Sequence, residues 1–365
     1  MAELIIQTEK IQNNIKYLSR YLSERNIHWS LITKVFSGNM EFLKNVLTED
    51  VVHEIYTVGD SRLTSLKNLK KTNPNLRTIY IKPPAKIYAD EIVQYADVSL
   101  NSSYDTILAL NEAAHRQNKT HRIIIMIELG ELREGINREQ VLQFYERVFN
   151  LEHIDVIGIG SNLGCMYGVE PTYDKLIQLC LYKELISAKF KKDLMFISGG
   201  TSITLPLLES GCVPKEINHF RIGEAAFFGI SPLTNERFAN LETNTFELAA
   251  NIIELEEKAH VPEGVIGDAS IGEARKVSED EANQKSFKAI LDFGLLDVDS
   301  KDIEFVDKEL SYVGITSDMI VIDLGKNQTK QGNEKYKIGD QIRFTLNYMA
   351  VARLLNSKFI DKVFC

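Results

Sequence analysis

Two kinds of chemical group follow short apolar segments of this chain. Lys34 closes an apolar run that begins at His28. Its amine can form a Schiff base with a carbonyl compound, although most lysines at strand ends are solvated surface charges. Residues 198–202 (SGGTS) combine two glycines with three hydroxyls. Backbone N–H groups beside small residues bind phosphate, so this stretch is a candidate phosphate site, with an ordinary tight turn as the alternative.

Two arginines and an asparagine are further candidates. Arg133 lies in residues 128–135 (ELGELREG), Asn162 follows a glycine-rich stretch, and Arg221 lies in residues 219–223 (HFRIG). Singly, such arginines are typical of surface or structural ion pairs. An amine, two guanidiniums and a phosphate-binding turn that face one opening would together form a binding site.

The elements that would position these groups alternate up to about residue 235. Eight short segments rich in β-branched residues predict strands, at residues 29–34, 54–58, 77–81, 98–100, 122–128, 155–160, 194–197 and 220–222. Segments with helical spacing lie between them. In residues 8–22 one face carries Ile11, Ile15, Leu18 and Leu22, and in residues 173–189 one face carries Ile177, Leu181 and Leu185.

Eight strand–helix units predict an α/β fold, a closed (β/α)8 TIM-like barrel. An open doubly wound sheet is the alternative, but no GxGxxG sequence begins any of the predicted helices. In a barrel, active groups collect at the carboxyl ends of the strands, and phosphate often binds after strands seven and eight. The candidate residues all fall at such positions, with Lys34 at the end of the first strand and Arg221 on the eighth.

The pattern changes after about residue 240. Strands are predicted at residues 246–254, 287–293, 319–324 and 341–346, with a helix at 348–355. We therefore predict a barrel domain of residues 8–235 and a mostly β domain of residues 236–365, with residues 1–7 as a further candidate part of the second domain.

Composition excludes several classes of protein. The net charge is −9 and no basic stripe is present, which disfavours nucleic-acid binding. We see no secretory signal and no run long enough to cross a membrane. The four cysteines are scattered without metal-ligand spacing, so we predict reduced thiols in a cytoplasmic protein, and no metal site. They are Cys165, Cys180, Cys212 and Cys365.

Six stretches in this order resemble the alanine racemase superfamily, the fold-type III pyridoxal-phosphate enzymes, and within it the ornithine racemase branch. The resemblance extends over nearly the whole chain. It rests on residues 33–39 (TKVFSGN), 97–102 (DVSLNS), 128–135 (ELGELREG), 160–165 (GSNLGC), 198–200 (SGG) and 217–225 (INHFRIGEA).

The resemblance implies a role for each candidate in binding pyridoxal 5'-phosphate. Lys34 would be the Schiff-base lysine and one acid/base group, Arg133 would contact the phenolic oxygen, and Arg221 would face the pyridine nitrogen. A guanidinium only donates hydrogen bonds, so Arg221 would keep that nitrogen unprotonated and favour racemisation over transamination. The remaining cofactor contacts would come from Asn162, Ser198, Gly199, Gly200, Thr201, Ser202, Gly223 and Tyr348.

The chain departs from the alanine racemase pattern at the second catalytic base. Leu295 stands where the family has a tyrosine that acts across the dimer interface. Asp292 and Asp297 are the nearest candidates to replace it, with solvated carboxylates as the alternative, and Cys165 is a further candidate. By the same resemblance, the segment of Ser317 and Asp318 would meet the substrate carboxylate in the partner's site, which implies a head-to-tail homodimer with shared sites.

The function predicted is a pyridoxal-phosphate-dependent racemase of a free amino acid, ornithine-like or alanine-like. A basic substrate would need a carboxylate, and Glu128, Glu131 and Glu134 surround the end of the fifth predicted strand. The alternatives are an amino-acid decarboxylase of the same two-domain plan and a non-enzymatic cofactor carrier. The decarboxylases have a long glycine-rich phosphate loop that is not found here, and single-domain carriers would end near residue 235.

Overall fold

A computed structural model describes residues 1–265, 272–276 and 284–365 of the chain. The chain divides into two compact units, one of residues 9–243 and one of residues 1–8 with 244–365. The first strand, β1 (Glu3–Ile6), belongs to the second of these units, which we call the terminal unit. We call the other the barrel unit.

A ring of parallel strands forms the centre of the barrel unit. Its strands are hydrogen-bonded in the order β8-β7-β6-β5-β4-β3-β2-β10-β9. Their bounds are β2 (His28–Ile32), β3 (Thr57–Asp60), β4 (Thr78–Tyr80), β5 (Val98–Asn101), β6 (His121–Met126), β7 (Ile154–Gly160), β8 (Phe196–Ser198), β9 (Gly200–Thr201) and β10 (His219–Ile222). The predicted (β/α)8 barrel is therefore confirmed.

The seventh predicted strand is in fact two short strands that close the ring. β8 pairs with β7, and after Gly199 the chain continues as β9, which pairs with β10. Residues 200 and 201 were expected in a turn but lie in a strand. A Cβ atom at Gly200 would lie 2.2 Å from the ring of Phe220. Only glycine lets the backbone approach that ring so closely.

Helices surround the ring and complete the strand–helix units. They are α1 (Thr8–Ser23), α2 (Met40–Val46), α3 (Glu49–Val52), α4 (Leu63–Thr72), α5 (Ala89–Tyr95), α6 (Tyr104–Arg116), α7 (Val141–Val148), α8 (Tyr173–Phe190), α9 (Leu205–Glu209) and α10 (Glu224–Phe228). No described helix has both the length and the apolar character of a membrane span.

Helix packing confirms one predicted apolar face and contradicts the other. The four residues predicted on one face of α1 are all buried. On α8, however, Leu181 and Leu185 are exposed, whereas Leu176, Leu179 and Ile186 are buried. Because α8 carries apolar residues on more than one face, its sequence does not specify which face packs on the sheet.

The interior of the ring is apolar, as expected for parallel strands that are covered on both faces. The core cluster is formed by Ile32, Ile79, Val98, Leu100, Ile124, Met126, Ile157 and Phe196. A polar pair lies on the opposite face of the strands at the start of β6, where a ring nitrogen of His121 lies 2.8 Å from the hydroxyl of Ser99. Both residues are buried.

Burial of His121 predicts a loss of stability in acid. Burial lowers its pKa to about 4, against 6.5 for an exposed histidine. Since the unfolded chain binds the proton first, the stability is present above pH 6.5 and falls between pH 6.5 and 4, by about 1.4 kcal/mol per pH unit. His121→Gln protein should lack this part of the decline in urea unfolding measured at pH 7, 6 and 5. Parallel curves for the two proteins would contradict the prediction.

The terminal unit is built on one long antiparallel strand. Its strand order is β14-β17-β18-β15-β13-β1-β20, and β19 joins β13 to β16. The barrel unit ends with two short strands, β11 (Ile230–Ser231) and β12 (Glu236–Arg237). The elements of the terminal unit after β1 are β13 (Phe246–Ala259), β14 (Glu273–Ala274), β15 (Lys285–Leu291), β16 (Ile303–Phe305), β17 (Ser311–Ile315), β18 (Ile320–Asp323), β19 (Gln341–Leu346), helix α11 (Tyr348–Asn356) and β20 (Asp361–Phe364). The predicted mostly β character is confirmed.

Candidate active site

Lys34 lies just beyond the carboxyl end of β2. It is the first residue of a short 3-10 helix, Lys34–Phe36, two residues after the strand on which it was predicted. The N–H of Thr33 donates to the Gly59 carbonyl at 2.8 Å, and its hydroxyl donates to the same oxygen at 3.1 Å. Phe36 packs against Phe227 of α10, with ring centroids 4.4 Å apart. These contacts fix the backbone from which the exposed Lys34 side chain projects.

Arg221 joins the ends of three strands inside the ring. Its side chain is buried, and Nη1 donates to both the carbonyl (2.8 Å) and the hydroxyl of Ser198. Nη2 donates to the Ser161 carbonyl at 2.7 Å. Burial lowers the pKa of Arg221 to about 10. The guanidinium is thus charged at neutral pH and held in one orientation by three acceptors.

A buried chain of hydrogen bonds holds the Ser198 hydroxyl that Arg221 contacts. The Ser198 hydroxyl lies 2.7 Å from Nδ1 of His219, and Nε2 of His219 lies 3.0 Å from the hydroxyl of Ser30. Burial places the pKa of His219 well below its usual value, and the charge of Arg221 lowers it further. His219 is therefore neutral. Because Ser198 accepts from Arg221, its own proton goes to Nδ1, and Nε2–H donates to Ser30.

Arg133 lies in the loop after β6. Its Nε and Nη2 donate to the carboxylate of Glu134, and Nη1 lies 2.6 Å from Sγ of Cys165. The loop is pinched at its base, where a Cβ atom at Gly135 would lie 2.4 Å from the backbone nitrogen of Glu128. Glycine is therefore required at residue 135, which also has a positive φ of 143°. This close approach of the backbone at residues 128 and 135 closes the base of the loop, and Arg133 lies at the opening of the ring.

Glu131 ties the loop after β6 to the loop after β7. Its side chain is buried, and the carboxylate accepts backbone N–H groups from Cys165, Tyr167, Gly168 and Val169, at 2.7 to 3.3 Å. Burial alone would raise the pKa of Glu131, but the four donors outweigh it and lower the pKa. These four donors give Glu131 a structural role, and its role toward a basic substrate stays a prediction.

The other two glutamates of this loop also have local partners. Glu128 accepts the N–H groups of Gly130 (2.5 Å) and Arg133 (3.2 Å). Glu134 pairs with Arg133, and only 9% of its side chain is exposed. Of the three candidates, Glu134 alone lines the cavity described below.

The glycine-rich stretch after β8 forms a polar turn beside β10. Ser202 begins the 3-10 helix Ser202–Thr204, and its oxygen accepts the N–H groups of Gly223 (3.4 Å) and Ala225 (3.2 Å). This leaves the hydroxyl proton of Ser202 to donate. The N–H of Thr201 donates to the hydroxyl of Thr204 at 3.1 Å. Ser198 and Gly199 precede this turn, so the predicted phosphate residues do lie together.

An open cavity of about 480 Å³ lies at the carboxyl edge of the ring. It is lined by Lys34, Ser61, Ile81, Lys82, Pro83, Arg133 and Glu134. Of the cofactor residues predicted in the barrel, Lys34 and Arg133 line this cavity. Within the described residues, no group of three or more His, Cys, Asp or Glu side chains is arranged to hold a metal ion.

Two carboxylates beside this edge were not predicted as site residues. Burial raises the pKa of Asp60, at the end of β3, to about 6, and the Thr33 hydroxyl lies 3.4 Å from its Oδ2. Burial also raises the pKa of Glu224, against the opposing charge of Lys34. Glu224 follows Gly223, within a stretch that already contributed Arg221, so its position in the sequence could have indicated it.

A model of the alanine racemase N-terminal domain matches residues 6–232. The chain belongs to the alanine racemase family. An ornithine racemase of Acetoanaerobium sticklandii is 31% identical over 361 residues, which cover 99% of this chain and 98% of that protein. A lysine racemase of Thermotoga maritima is also 31% identical, over 99% of this chain and 98% of that protein.

Solved structures of the alanine racemase family share the fold. Alanine racemase of Clostridium difficile 630 superposes with a TM-score of 0.74 at 16% identity, over 100% of this chain and 95% of that chain. Alanine racemase of Bartonella henselae, described with covalently bound pyridoxal phosphate, has a TM-score of 0.74 at 16% identity, over 100% of this chain and 99% of that chain. The resemblance inferred from the sequence is confirmed.

Five predicted site residues of this alanine racemase family member lie in the terminal unit. Tyr348 is half-buried at the start of α11. Ser317 and Asp318 lie in the turn between β17 and β18, where the Ser317 hydroxyl donates to Asp318 at 3.0 Å. The N–H of Leu295 donates to the carbonyl of Thr316 at 2.9 Å. The position that departs from the family pattern thus lies beside the predicted substrate turn.

Asp292 and Asp297 both hold hydrogen bonds within the terminal unit. Asp292 accepts the backbone N–H and the side-chain amide of Asn251, each at 2.8 Å. Asp297 is buried and accepts the hydroxyl of Ser357 at 2.6 Å and the N–H of Gly294 at 3.3 Å. These bonds give both carboxylates a structural role, and their acid/base role stays a prediction.

Proposed function

We propose that this protein interconverts the L and D forms of a basic free amino acid, ornithine or lysine, with pyridoxal 5'-phosphate attached at Lys34. One observation carries the proposal: a chain that aligns end to end with an ornithine and a lysine racemase has Lys34 and Arg221 at one barrel edge. It is an amino-acid racemase, an isomerase. The choice of a basic substrate rests on those two relatives.

The barrel residues fit that cofactor. Two buried polar atoms at the carboxyl edge, Oδ1 of Asn101 and Oγ of Ser161, have no hydrogen-bond partner among the described residues. Buried polar atoms normally have one, so the edge has unused capacity for a polar group. Ser202, with its hydroxyl proton left to donate, suits a phosphate. When bound, pyridoxal phosphate supplies the electron sink that acidifies the proton on Cα of an amino acid.

Each barrel residue has a proposed task. Lys34 Nζ would hold the cofactor and would take or return the Cα proton on one face. Arg221 supplies only donors, so it would keep a pyridine nitrogen that faces it unprotonated, which would favour reprotonation of Cα over transamination. Arg133 would hold the phenolic oxygen. The other cofactor contacts proposed are Asn162, Ser198, Gly199, Gly200, Thr201, Ser202, Gly223 and Tyr348.

The second face of Cα needs another proton carrier. Leu295 cannot move a proton, so the candidates remain Asp292, Asp297 and Cys165. Cys165 is exposed, and its Sγ lies beside the Arg133 guanidinium. Cys165 belongs to the same unit as Lys34, whereas Asp292 and Asp297 belong to the terminal unit, which favours Cys165 among the three.

The proposed assembly is a head-to-tail homodimer. By the family resemblance, Ser317 and Asp318 would belong to the substrate site of the partner, which would make each site composite. A cytoplasmic location, predicted from the scattered cysteines, belongs to the same proposal.

Chiral chromatography tests the reaction. Incubation of the purified protein with L-ornithine or L-lysine is expected to yield a near-equal mixture of enantiomers, because the two forms have equal free energy. L-alanine and L-serine serve as comparison substrates, and faster conversion of either would contradict the basic substrate. Release of carbon dioxide without the D form would instead support a decarboxylase of the same two-domain plan.

A further inference from the structure

Lys82 is a cation in the cavity that has no assigned role. It follows β4 by two residues and lines the same cavity as Lys34. The N–H of Ile81 donates to the Asp60 carbonyl at 3.1 Å. Pro83 and Pro84 follow, and each proline fixes its own φ angle. The backbone that carries Lys82 is therefore held on both sides, while its side chain is exposed.

The charges around the cavity leave Lys82 as the available cation. Three cationic side chains line it, Lys34, Lys82 and Arg133, against one carboxylate. Arg133 is paired with Glu134 and Cys165, and its remaining donors are assigned to the phenolic oxygen of the cofactor. The amine of Lys34 is assigned to the cofactor and to transfer of the Cα proton. Lys82 makes no ion pair or hydrogen bond with any residue that the structure describes.

An amino acid brings one group that matches such a cation. Its α-amine must react, and its side chain varies with the substrate, whereas its α-carboxylate is always present and negatively charged. A lysine ammonium with three free donors binds a carboxylate as a point charge. Fixing the carboxylate also orients the Cα–H bond toward the residue that takes its proton.

We infer that Lys82 binds the α-carboxylate of the amino-acid substrate. Because Lys82 lines the cavity that contains Lys34, this role rests on the proposed function. The segment of Ser317 and Asp318, which the family resemblance directs to the same carboxylate in the partner's site, carries no positive side chain, so Lys82 adds the charge.

Two ligands that differ only in the carboxylate test this role. L-ornithine and 1,4-diaminobutane have the same carbon chain and amines, but the diamine has no carboxylate. Affinities are read from the absorbance change of the bound cofactor on titration with each ligand. Lys82→Met is expected to weaken L-ornithine binding by about tenfold or more, as for a lost hydrogen bond to a charged group. The affinity for 1,4-diaminobutane should not change.

Two further variants serve as controls. Lys82→Arg keeps the charge and should recover much of the affinity for L-ornithine. Lys86→Met removes an exposed lysine four residues away that does not line the cavity, and it should bind both ligands as the wild type does. Cofactor content and melting temperature are measured for each protein.

The possible results distinguish the role of Lys82 from the proposed racemase reaction. If Lys82→Met weakens both ligands equally, or neither, the inference is overturned. Failure of the wild type to bind L-ornithine would overturn it too. Selective loss of L-ornithine affinity in a protein that produces no D-ornithine would contradict racemisation but leave the role of Lys82 standing.

Discussion

Lys34→Ala protein is expected to lose racemase activity by roughly 10²–10⁴-fold or more, the range for removal of a positioned acid/base group. The loss should be at the upper end, because the same amine also attaches the cofactor in the proposed mechanism. Exchange of the Cα proton of L-ornithine with deuterated solvent, followed by NMR, reports the proton transfer directly. Lys34→Ala protein that still exchanges this proton at the wild-type rate would end the mechanism.

A covalent readout accompanies the kinetic one. Borohydride reduction of the wild type should fix pyridoxal phosphate to a peptide that contains Lys34, as detected by mass spectrometry. Lys44→Ala is the matched control, since Lys44 is exposed on α2, and it should retain both the label and the activity.

Mixing variants tests the composite site. If sites are shared between subunits, Lys34→Ala subunits mixed with Asp318→Ala subunits should recover part of the activity, because every mixed dimer contains one intact site. Absence of any recovery in a mixture shown to contain mixed dimers would contradict the head-to-tail arrangement.

Glu131→Ala is expected to lower the free energy of unfolding by about 3–5 kcal/mol, since it leaves four backbone N–H groups of one loop without their acceptor. The free energy is measured by urea unfolding at pH 7. The substitution should also weaken cofactor binding, because Cys165 and Asn162 belong to the released loop. Unchanged unfolding would show that the loop does not depend on Glu131.

Two variants and one change of pH refine this prediction. Glu131→Gln keeps one oxygen acceptor and should lose about half as much stability, whereas Glu139→Ala, at an exposed position, should lose little. The folded pKa of Glu131 lies below its unfolded value of 4.5. Its contribution is therefore present above pH 4.5 and is lost as the pH falls through the folded pKa. At low pH the wild type and Glu131→Gln should converge.

Local chemistry in the sequence was sufficient for the architecture. Parallel strands buried on both faces need continuous β-branched runs, and such runs predicted the barrel strands to within a few residues, except the two-residue β9. Lys34, Arg133 and Arg221 were found for the same reason, since each lies on or just after one of those runs. The long strand β13 was underestimated because its outer half is exposed, so its apolar pattern ends before the strand does.

The partners of these residues depended on contacts between distant parts of the chain. In the sequence, Glu131 is one of three glutamates in a polar loop and nothing distinguishes it. In the folded protein the loop after β7 supplies four N–H groups that donate to its buried carboxylate. His219 becomes the support of Arg221 because β8 and β2 approach it from two sides. The exposed leucines of α8 show the same limit, since packing selects one of several apolar faces.

The sequence by itself determined the barrel, the mostly β unit, the family and the position of Lys34 at the end of the first barrel strand, because each depends on periodicity or on residues close together in the chain. Only the tertiary structure decided that Glu131 organises loops, that Ser202 keeps a free hydroxyl proton, and that Lys82 shares a cavity with Lys34. Those properties depend on which buried donors and acceptors meet across the fold, and no spacing along one strand or helix specifies that.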